Sequence, residues 1–172
     1  MAILDIINVP DPLLKSLSDP VEEVNDALRK LMDNMLETMY AAPGIGLAAI
    51  QVGVPERVIV LDLAGEEEEK SPMFFVNPEV IWESPEIAIF NEGCLSVPDH
   101  YAEVERPASV KVKYLDYHGK PQELEMDGLL STCIQHEIDH LDGVVFIDYL
   151  SRLKRNMIIK KVQKATKDSV IL

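Results

Sequence analysis

The chain has 172 residues, two cysteines and a net charge of −14. A chain of this length is typical of one domain that buries roughly two-thirds of its unfolded surface, so folding requires neither disulfides nor a metal. No apolar run approaches the ~20 residues of a membrane span and no basic, apolar leader opens the chain, so we expect a cytoplasmic protein without a membrane partner.

The first predicted element is a helix that follows a proline-rich loop. Asp19, Pro20 and Glu22 match an acidic N-cap, a first-turn proline and a glutamate at the third position. Apolar residues recur at helical spacing to about Ala41, and a proline-glycine pair then ends the pattern. The predicted apolar face consists of Val21, Val24, Leu28, Leu31, Met35 and Met39.

A glycine-containing segment follows the helix, with the sequence GIGLAAIQVG at residues 44–53. Its pattern predicts a tight loop and then an apolar strand. No lysine follows the glycines and the G-x-G-x-x-G spacing is missing, so nucleotide binding is not expected. DNA is not expected as a partner either. Gln51 is polar within this apolar run and needs a hydrogen-bonding partner if it is buried, which fits a reacting carbonyl.

Strands are predicted in later runs rich in β-branched and aromatic residues. They cover residues 57–63, 73–82, 109–117 and 122–126, and His118 is interpreted as part of the turn between the last two. The EEEEK run between the first two predicts a solvated loop. Together with helices before and after the strands, these runs indicate an α+β fold with mixed or antiparallel sheets.

The segment QHEIDHLDG, at residues 135–143, predicts a helix with metal-binding and catalytic side chains. His136 and His140 are four residues apart and therefore share one helix face, with Glu137 beside them. This H-E-x-x-H pattern is typical of hydrolases in which a divalent metal lowers the pKa of a bound water and the carboxylate accepts its proton. The alternative is two hydrogen-bonded histidines without a metal, which the glutamate disfavours. We expect this helix to be central, with the sheets around it.

The third metal ligand is not evident downstream of the motif. The position of a third histidine in the extended motif is Phe146, and no glutamate follows Glu137. Cys133 lies about 10 Å along the helix from His140 and is interpreted as a buried apolar residue. The upstream candidates are Cys94, Cys133, His100 and His118.

Cys94 lies in the segment NEGCLSVP, at residues 91–98, which can form an extended strand edge near the metal. Spacing alone makes it only a modest favourite among the candidates, because a single cysteine is more often a core residue. Glu92 and Arg106 are expected to form an ion pair that brackets this segment.

The last 22 residues differ in charge from the rest of the chain. Residues 151–172 contain seven Lys or Arg and one acid, whereas the remaining residues carry a net charge of −20. The apolar face expected behind these bases consists of Leu150, Leu153, Met157, Val162 and Ala165. The pattern predicts an amphipathic C-terminal helix that binds a polyanionic partner or neutralises its own acidic body.

Three segments together resemble the peptide deformylase family: residues 44–53, the EGCLS run at 92–96, and residues 135–143. The resemblance covers nearly the whole chain and implies one catalytic domain over residues 1–172. The family removes the N-formyl group from the initiator methionine of nascent proteins. It generally uses ferrous iron, although zinc, nickel or cobalt can replace it. The resemblance also suggests the ribosome as the partner of the C-terminal helix.

The resemblance further implies roles for individual residues. The implied metal ligands are Cys94, His136 and His140. Glu137 would be the catalytic acid and base, and Gln51 with the backbone N–H of Leu95 would stabilise the oxyanion. The implied substrate-binding residues are Ile45, Gly46, Phe90, Gly93 and Leu129.

Two other classes of protein remain open from the residues alone. An H-E-x-x-H metallopeptidase would cleave peptide bonds, and the missing downstream ligand disfavours it. A non-catalytic module stabilised by a metal would instead close the site with a fourth protein ligand.

Overall fold

The computed structural model describes residues 2–171, with side chains through residue 165. Within this range the chain forms an α+β fold with two antiparallel sheets and three α-helices. The helices are α1 (Asp26–Ala41), α2 (Gly128–Leu141) and α3 (Arg152–Ile171). The strands are β1 (Gly46–Ala48), β2 (Val58–Leu61), β3 (Met73–Glu83), β4 (Ile87–Cys94), β5 (Val97–Pro107), β6 (Val110–Leu115) and β7 (Pro121–Met126). Short 3-10 helices cover Pro12–Lys15, Ala49–Val52 and Phe146–Tyr149.

The larger sheet has the strand order β1-β2-β3-β6-β7, and helices cover both of its faces. Alternate residues of β2 point to opposite sides, as the period of a strand requires. Val58 and Val60 pack with the buried methionines of α1, whereas Ile59 and Leu61 pack with apolar residues of α2. The sheet therefore holds α1 and α2 at a fixed separation on its two faces.

The smaller sheet consists of β4 and β5. Its inner face contributes Ala102 and Val104 to an apolar cluster with Phe146 and with Val162 of α3. This packing holds the end of β4 next to α2, which is the position where the candidate ligands meet.

The N-terminal helix begins later than the sequence predicted. Asn25 is its N-cap, and the Asn25 side chain accepts a hydrogen bond of 2.9 Å from Leu28 N. Asp19, the predicted N-cap, instead forms a parallel β-bridge with Glu56, and the Val21 backbone pairs with a side-chain amide of β3. The prediction was wrong because tertiary pairing of this backbone outweighed a local capping pattern.

The strand predictions were partly right. The apolar run after the first glycines forms strand only over Gly46–Ala48 and then turns into the 3-10 helix Ala49–Val52. The four later runs are all strands, but of β4 and β5 only the extended edge at residues 91–98 was predicted, and Leu95 and Ser96 within it form a turn. Residues 101–106 of β5 alternate between exposed and buried, and the matching period of two in the sequence was the available signal.

The C-terminal helix covers most of its predicted range, and residue 172 lies outside the described residues. Its predicted apolar face was right only in part. Val162 is buried and Leu150 packs against the same apolar cluster, as predicted. Leu153, Met157 and Ala165 are instead exposed, and Ile158, which was not predicted, is buried. The buried face follows from contact with the smaller sheet, which the helix sequence does not reveal. Among the described residues, no helix combines the length and apolar character needed to cross a bilayer.

Candidate metal centre and active site

Helix α2 carries three chemically important side chains on a buried surface: His136, Glu137 and His140. The two imidazoles are one turn apart, with 5.1 Å between ring centroids. The chain leaves the helix through Gly143, which has a φ of +79°, and a side chain there would collide with the Lys15 carbonyl oxygen. Close backbone contact therefore fixes the end of α2 nearest His140.

Cys94 is the last residue of β4, and a turn formed by Leu95 and Ser96 leads into β5. Its Sγ lies 3.2 Å from His140 Nε2. The ligand atoms of Cys94, His136 and His140 all lie within 4.8 Å of one another, and in the described part of the chain no other group of this kind occurs. The geometry thus selects Cys94 among the upstream candidates that the sequence left open.

The remaining upstream candidates lie outside this group. His118 lies in the turn between β6 and β7, as predicted, and His100 lies on β5. Cys133 is buried, which confirms its interpretation as an apolar cysteine. Burial and the charge of Glu137 raise the pKa of its thiol to about 12, so the thiol stays protonated at neutral pH.

The donor atoms at this centre fit a divalent transition-metal ion, because one cysteine sulfur and two imidazole nitrogens suit borderline-soft metals. Glu92 Oε1 lies 2.9 Å from His136 Nδ1, which leaves His136 Nε2 free to coordinate. A carboxylate behind a histidine is a common way to orient a ligating imidazole. Three protein ligands leave a position open, as in catalytic rather than structural sites.

Glu137 adjoins the ligand group from within α2. Its Oε2 lies 3.9 Å from His136 Nε2, and its buried Oε1 has no hydrogen-bond partner among the described residues. Burial raises the pKa of this carboxyl to about 7, against the opposing effect of the His136 charge. Gly46 makes the approach possible, because a Cβ there would lie 2.8 Å from Glu137 Oε2. The site therefore contains a buried carboxylate with an unused acceptor.

Gln51 lies beside Cys94, in the 3-10 helix Ala49–Val52 that precedes β2. Its Oε1 accepts a hydrogen bond from Ala48 N, and its Nε2 donates to Ser96 Oγ at 3.0 Å. The same Nε2 is 3.6 Å from Cys94 Sγ. Gln51 is therefore buried and paired, as the sequence analysis required of it, but its partners are protein groups, so burial alone does not indicate a substrate carbonyl. Ser96, which the sequence analysis did not single out, fixes the orientation of Gln51.

A cavity of about 870 Å³ opens beside the ligand group. Cys94, His136 and Glu137 form part of its wall, together with Leu95. The predicted substrate-binding residues all line the same cavity: Ile45, Gly46, Phe90, Gly93 and Leu129. Gln51 and His140 do not belong to this lining and lie behind it. A cavity of this size accommodates a small peptide segment.

The family model for polypeptide deformylase matches residues 3–156. The chain belongs to the polypeptide deformylase family. Deformylases remove the N-formyl group from nascent peptides in a metal-dependent reaction. The α+β fold with antiparallel sheets and three helices is the fold of this family.

Relatives and solved structures agree with this assignment. The peptide deformylase of Phenylobacterium zucineum is 65% identical over 167 residues, which cover 97% of this chain and 99% of the relative. A crystal structure of peptide deformylase from Ehrlichia chaffeensis in complex with actinonin has a TM-score of 0.92 and 44% identity, covering 96% of this chain and 98% of that one. The Legionella pneumophila structure has a TM-score of 0.91 and 44% identity, covering 98% of each chain.

The deformylase fold also buries an ion network that supports the ligand group. The predicted pair of Glu92 and Arg106 is confirmed, with bonds of 2.6 and 2.9 Å. Arg106 also donates to Asp139 at 2.8 Å, and Tyr149 OH donates to the same carboxylate at 2.6 Å. Burial alone would raise the pKa of Glu92, but hydrogen bonds from Arg106 and His136 hold it below its ordinary value. The sequence analysis missed Asp139 and Tyr149, although Asp139 follows Glu137 by two residues.

Proposed function

We propose that residues 1–172 form one cytoplasmic catalytic domain that hydrolyses the formamide bond of N-formylmethionyl peptides and releases formate. Cys94, His136 and His140 hold one divalent metal, ferrous iron in the native protein, so that α2 carries a working H-E-x-x-H motif. The observation that carries this proposal is the convergence of three ligand atoms within 4.8 Å beside Glu137 on one cavity wall. When bound, the metal would act as a Lewis acid that lowers the pKa of water and polarises the formyl group.

Glu137 is the general base and then the general acid. Its carboxylate removes a proton from water as the water oxygen bonds to the formyl carbon. It then delivers that proton to the methionine nitrogen as the C–N bond breaks, because an unprotonated amine is a poor leaving group. The unpartnered Oε1 supports this role, since a carboxylate that is free of structural hydrogen bonds can bind and release a proton.

Gln51 and the backbone N–H of Leu95 stabilise the negative charge that develops on the formyl oxygen. Gln51 Nε2 points toward Cys94 Sγ, and Leu95 directly follows that cysteine. The bond to Ser96 Oγ fixes the Gln51 amide, and the N–H on the side of Cys94 Sγ, whose contact with sulfur is long, is the one that we propose turns to the formyl oxygen. Donors fixed in advance in this way stabilise a transition state with little reorganisation.

Ser96→Ala tests the positioning of Gln51. The substitution removes the acceptor that holds the Gln51 amide, and we expect kcat on formyl-Met-Ala-Ser to fall about tenfold with KM changed less than twofold. Ser96→Thr keeps the hydroxyl and should recover most of kcat. Steady-state kinetics of both variants check this, and equal losses in the two would contradict a hydrogen-bonding role.

The cavity wall supports recognition of the methionine. Apolar side chains of Ile45, Phe90 and Leu129 surround the space where a thioether side chain fits. Gly46 and Gly93 lie in the same wall, and we propose that their backbone contacts the peptide main chain, as in strand addition. The E. chaffeensis structure contains actinonin, and we propose that this chain binds the same compound in its cavity.

The ribosome is the proposed partner of α3. Several cationic side chains of this helix are exposed: Arg152, Lys154, Lys160, Lys161 and Lys164. Their charge opposes that of the acidic body, and a polyanion such as ribosomal RNA would attract them. Deleting the helix is a poor test, because Ile158 and Val162 belong to an apolar cluster.

A variant in which exposed lysines of α3 are replaced by uncharged residues tests this interaction and leaves the apolar cluster intact. Replacing Lys154, Lys160, Lys161 and Lys164 with glutamine should weaken cosedimentation with ribosomes about tenfold at low salt. The slope of log affinity against log salt should fall by about one per lysine that contacts phosphate. Turnover of formyl-Met-Ala-Ser should be unchanged. The matched control replaces Lys15, Lys30, Lys113 and Lys120 with glutamine. An equal loss of ribosome binding in the control would show that α3 is not the binding element.

The activity itself is tested with anaerobically purified, iron-loaded protein and formyl-Met-Ala-Ser. We expect equimolar formate and Met-Ala-Ser, detected by coupled formate oxidation and by mass spectrometry. Acetyl-Met-Ala-Ser and the unblocked Met-Ala-Ser serve as controls. Cleavage of an internal peptide bond would instead indicate a metallopeptidase, and metal retention without any turnover would indicate a binding module.

A further inference from the structure

Over residues 87–93 of β4 and 101–107 of β5, successive side chains alternate between an inner and an outer face of the smaller sheet. Its inner face carries Ala102, Val104 and Arg106 toward the core, and Glu92 lies on the same side. The outer face is exposed and forms four cross-strand pairs. These pairs are Gly93 with Tyr101, Asn91 with Glu103, Ile89 with Glu105, and Ile87 with Pro107.

This outer face, called the platform below, is continuous with the cavity. Asn91, Gly93 and Tyr101 belong to the cavity lining, so the first two pairs of the platform begin at the cavity mouth. The other two pairs extend away from it along the strands. At about 3.4 Å per residue, the distance from Gly93 to Ile87 is roughly 20 Å, which matches about six residues of an extended peptide.

The chemistry of the platform is apolar along β4 and acidic along β5. Ile87 and Ile89 are 58% and 55% exposed, although both are large apolar side chains. Glu103 and Glu105 are exposed, and no cation among the described residues lies within ion-pair distance of either. An apolar strip beside unpaired carboxylates fits an extended segment with apolar and basic side chains.

We infer that the platform binds the substrate downstream of its first residues and favours peptides with apolar and basic side chains there. This inference rests on the proposed function, because it requires that one substrate peptide occupies both the cavity and the platform. The part of the peptide beyond the cavity continues along the outer face from Tyr101 toward Pro107. Glu103 and Glu105 pair with lysine or arginine, and Ile87 and Ile89 contact aliphatic side chains.

The test compares three peptides at low salt: formyl-Met-Ala-Ser, formyl-Met-Ala-Ser-Leu-Lys-Leu-Lys-Ser and formyl-Met-Ala-Ser-Leu-Glu-Leu-Glu-Ser. For the wild type, kcat/KM of the lysine peptide should exceed that of the glutamate peptide by about three- to tenfold, mainly through KM. The Glu103→Gln/Glu105→Gln variant should reduce this ratio to less than twofold. It should leave the tripeptide unchanged.

A matched variant controls for overall charge. Glu66→Gln/Glu67→Gln removes two exposed carboxylates from a distant loop, and the peptide ratio should stay at its wild-type value. A wild-type ratio near one, or equal changes in the two double variants, would overturn the inference. A second result would also overturn the inference: a wild-type dimer in sedimentation that Ile89→Asp converts to a monomer while the peptide ratio stays unchanged. The platform would then bind a second copy of the chain. If the wild type does not turn over the tripeptide, the proposed function itself is wrong.

Discussion

Glu137→Gln lowers kcat on formyl-Met-Ala-Ser by about 10³-fold, the size of effect expected when a general acid and base is removed. The amide keeps the shape of the side chain, so the packing against Gly46 is preserved. It can neither take a proton from water nor give one to the departing amine. Because Glu137 is not a proposed ligand, the iron content should equal that of the wild type. Initial rates and metal analysis on the same preparation measure both quantities.

The control for this variant is Glu123→Gln on β7, which removes an exposed carboxylate remote from the ligand group. We expect its kcat to stay within twofold of the wild type. A Glu137→Gln enzyme with full iron content and more than a tenth of the wild-type kcat would show that another group transfers the proton. Loss of iron from that variant would show that Glu137 helps to hold the metal.

Arg106→Met is expected to lower the free energy of unfolding by about 3–5 kcal/mol, the cost of removing one partner from a buried ion pair. The side chains of Arg106 and Glu92 are 6% and 4% exposed. Without the guanidinium, Glu92 keeps a desolvated charge and only its bond to His136. Urea unfolding of the iron-loaded protein, followed by circular dichroism, measures the change.

Two further variants separate this effect from the loss of a charge alone. Lys113→Met removes a lysine whose ion pair with Glu79 is exposed, and we expect a change below about 0.5 kcal/mol. The double variant Arg106→Met/Glu92→Gln removes the uncompensated charge and should be more stable than Arg106→Met. It should still lose iron faster than the wild type, because His136 loses its carboxylate partner. Equal stability of the Arg106→Met and Lys113→Met variants would contradict the buried network.

The Glu92–Arg106 pair shows what the sequence could predict about the site. Glu92 begins the EGCLS motif and Arg106 follows it in the chain, and opposite charges that can form a bidentate pair often meet. Asp139 and Tyr149 join the same network, but no local pattern distinguishes them from solvated side chains. Their role depends on how the end of α2 packs against β5, and that contact is long-range.

The same limit applies to the fold. Asp19 and Asn25 are both good N-cap residues, and the choice between them depends on the pairing of Asp19 with Glu56 in a distant segment. Period-two alternation would have revealed the second half of β5, because its buried and exposed residues alternate from Tyr101 to Arg106. The buried face of α3 was predictable only in part: Val162 was placed on it correctly, but Ile158 and Met157 are both apolar and only the neighbouring sheet distinguishes them.

The alternation in the β4–β5 sheet has a consequence for how this enzyme can diverge. Over residues 87–93 and 101–107 the even-numbered positions face inward, where Glu92 and Arg106 form their buried ion pair, whereas the odd-numbered positions face outward. Selection can therefore retune which proteins are processed fastest by changing odd positions while the chemistry stays intact. A mutant library limited to positions 87, 89, 103 and 105 should yield mostly active enzymes with altered peptide preference.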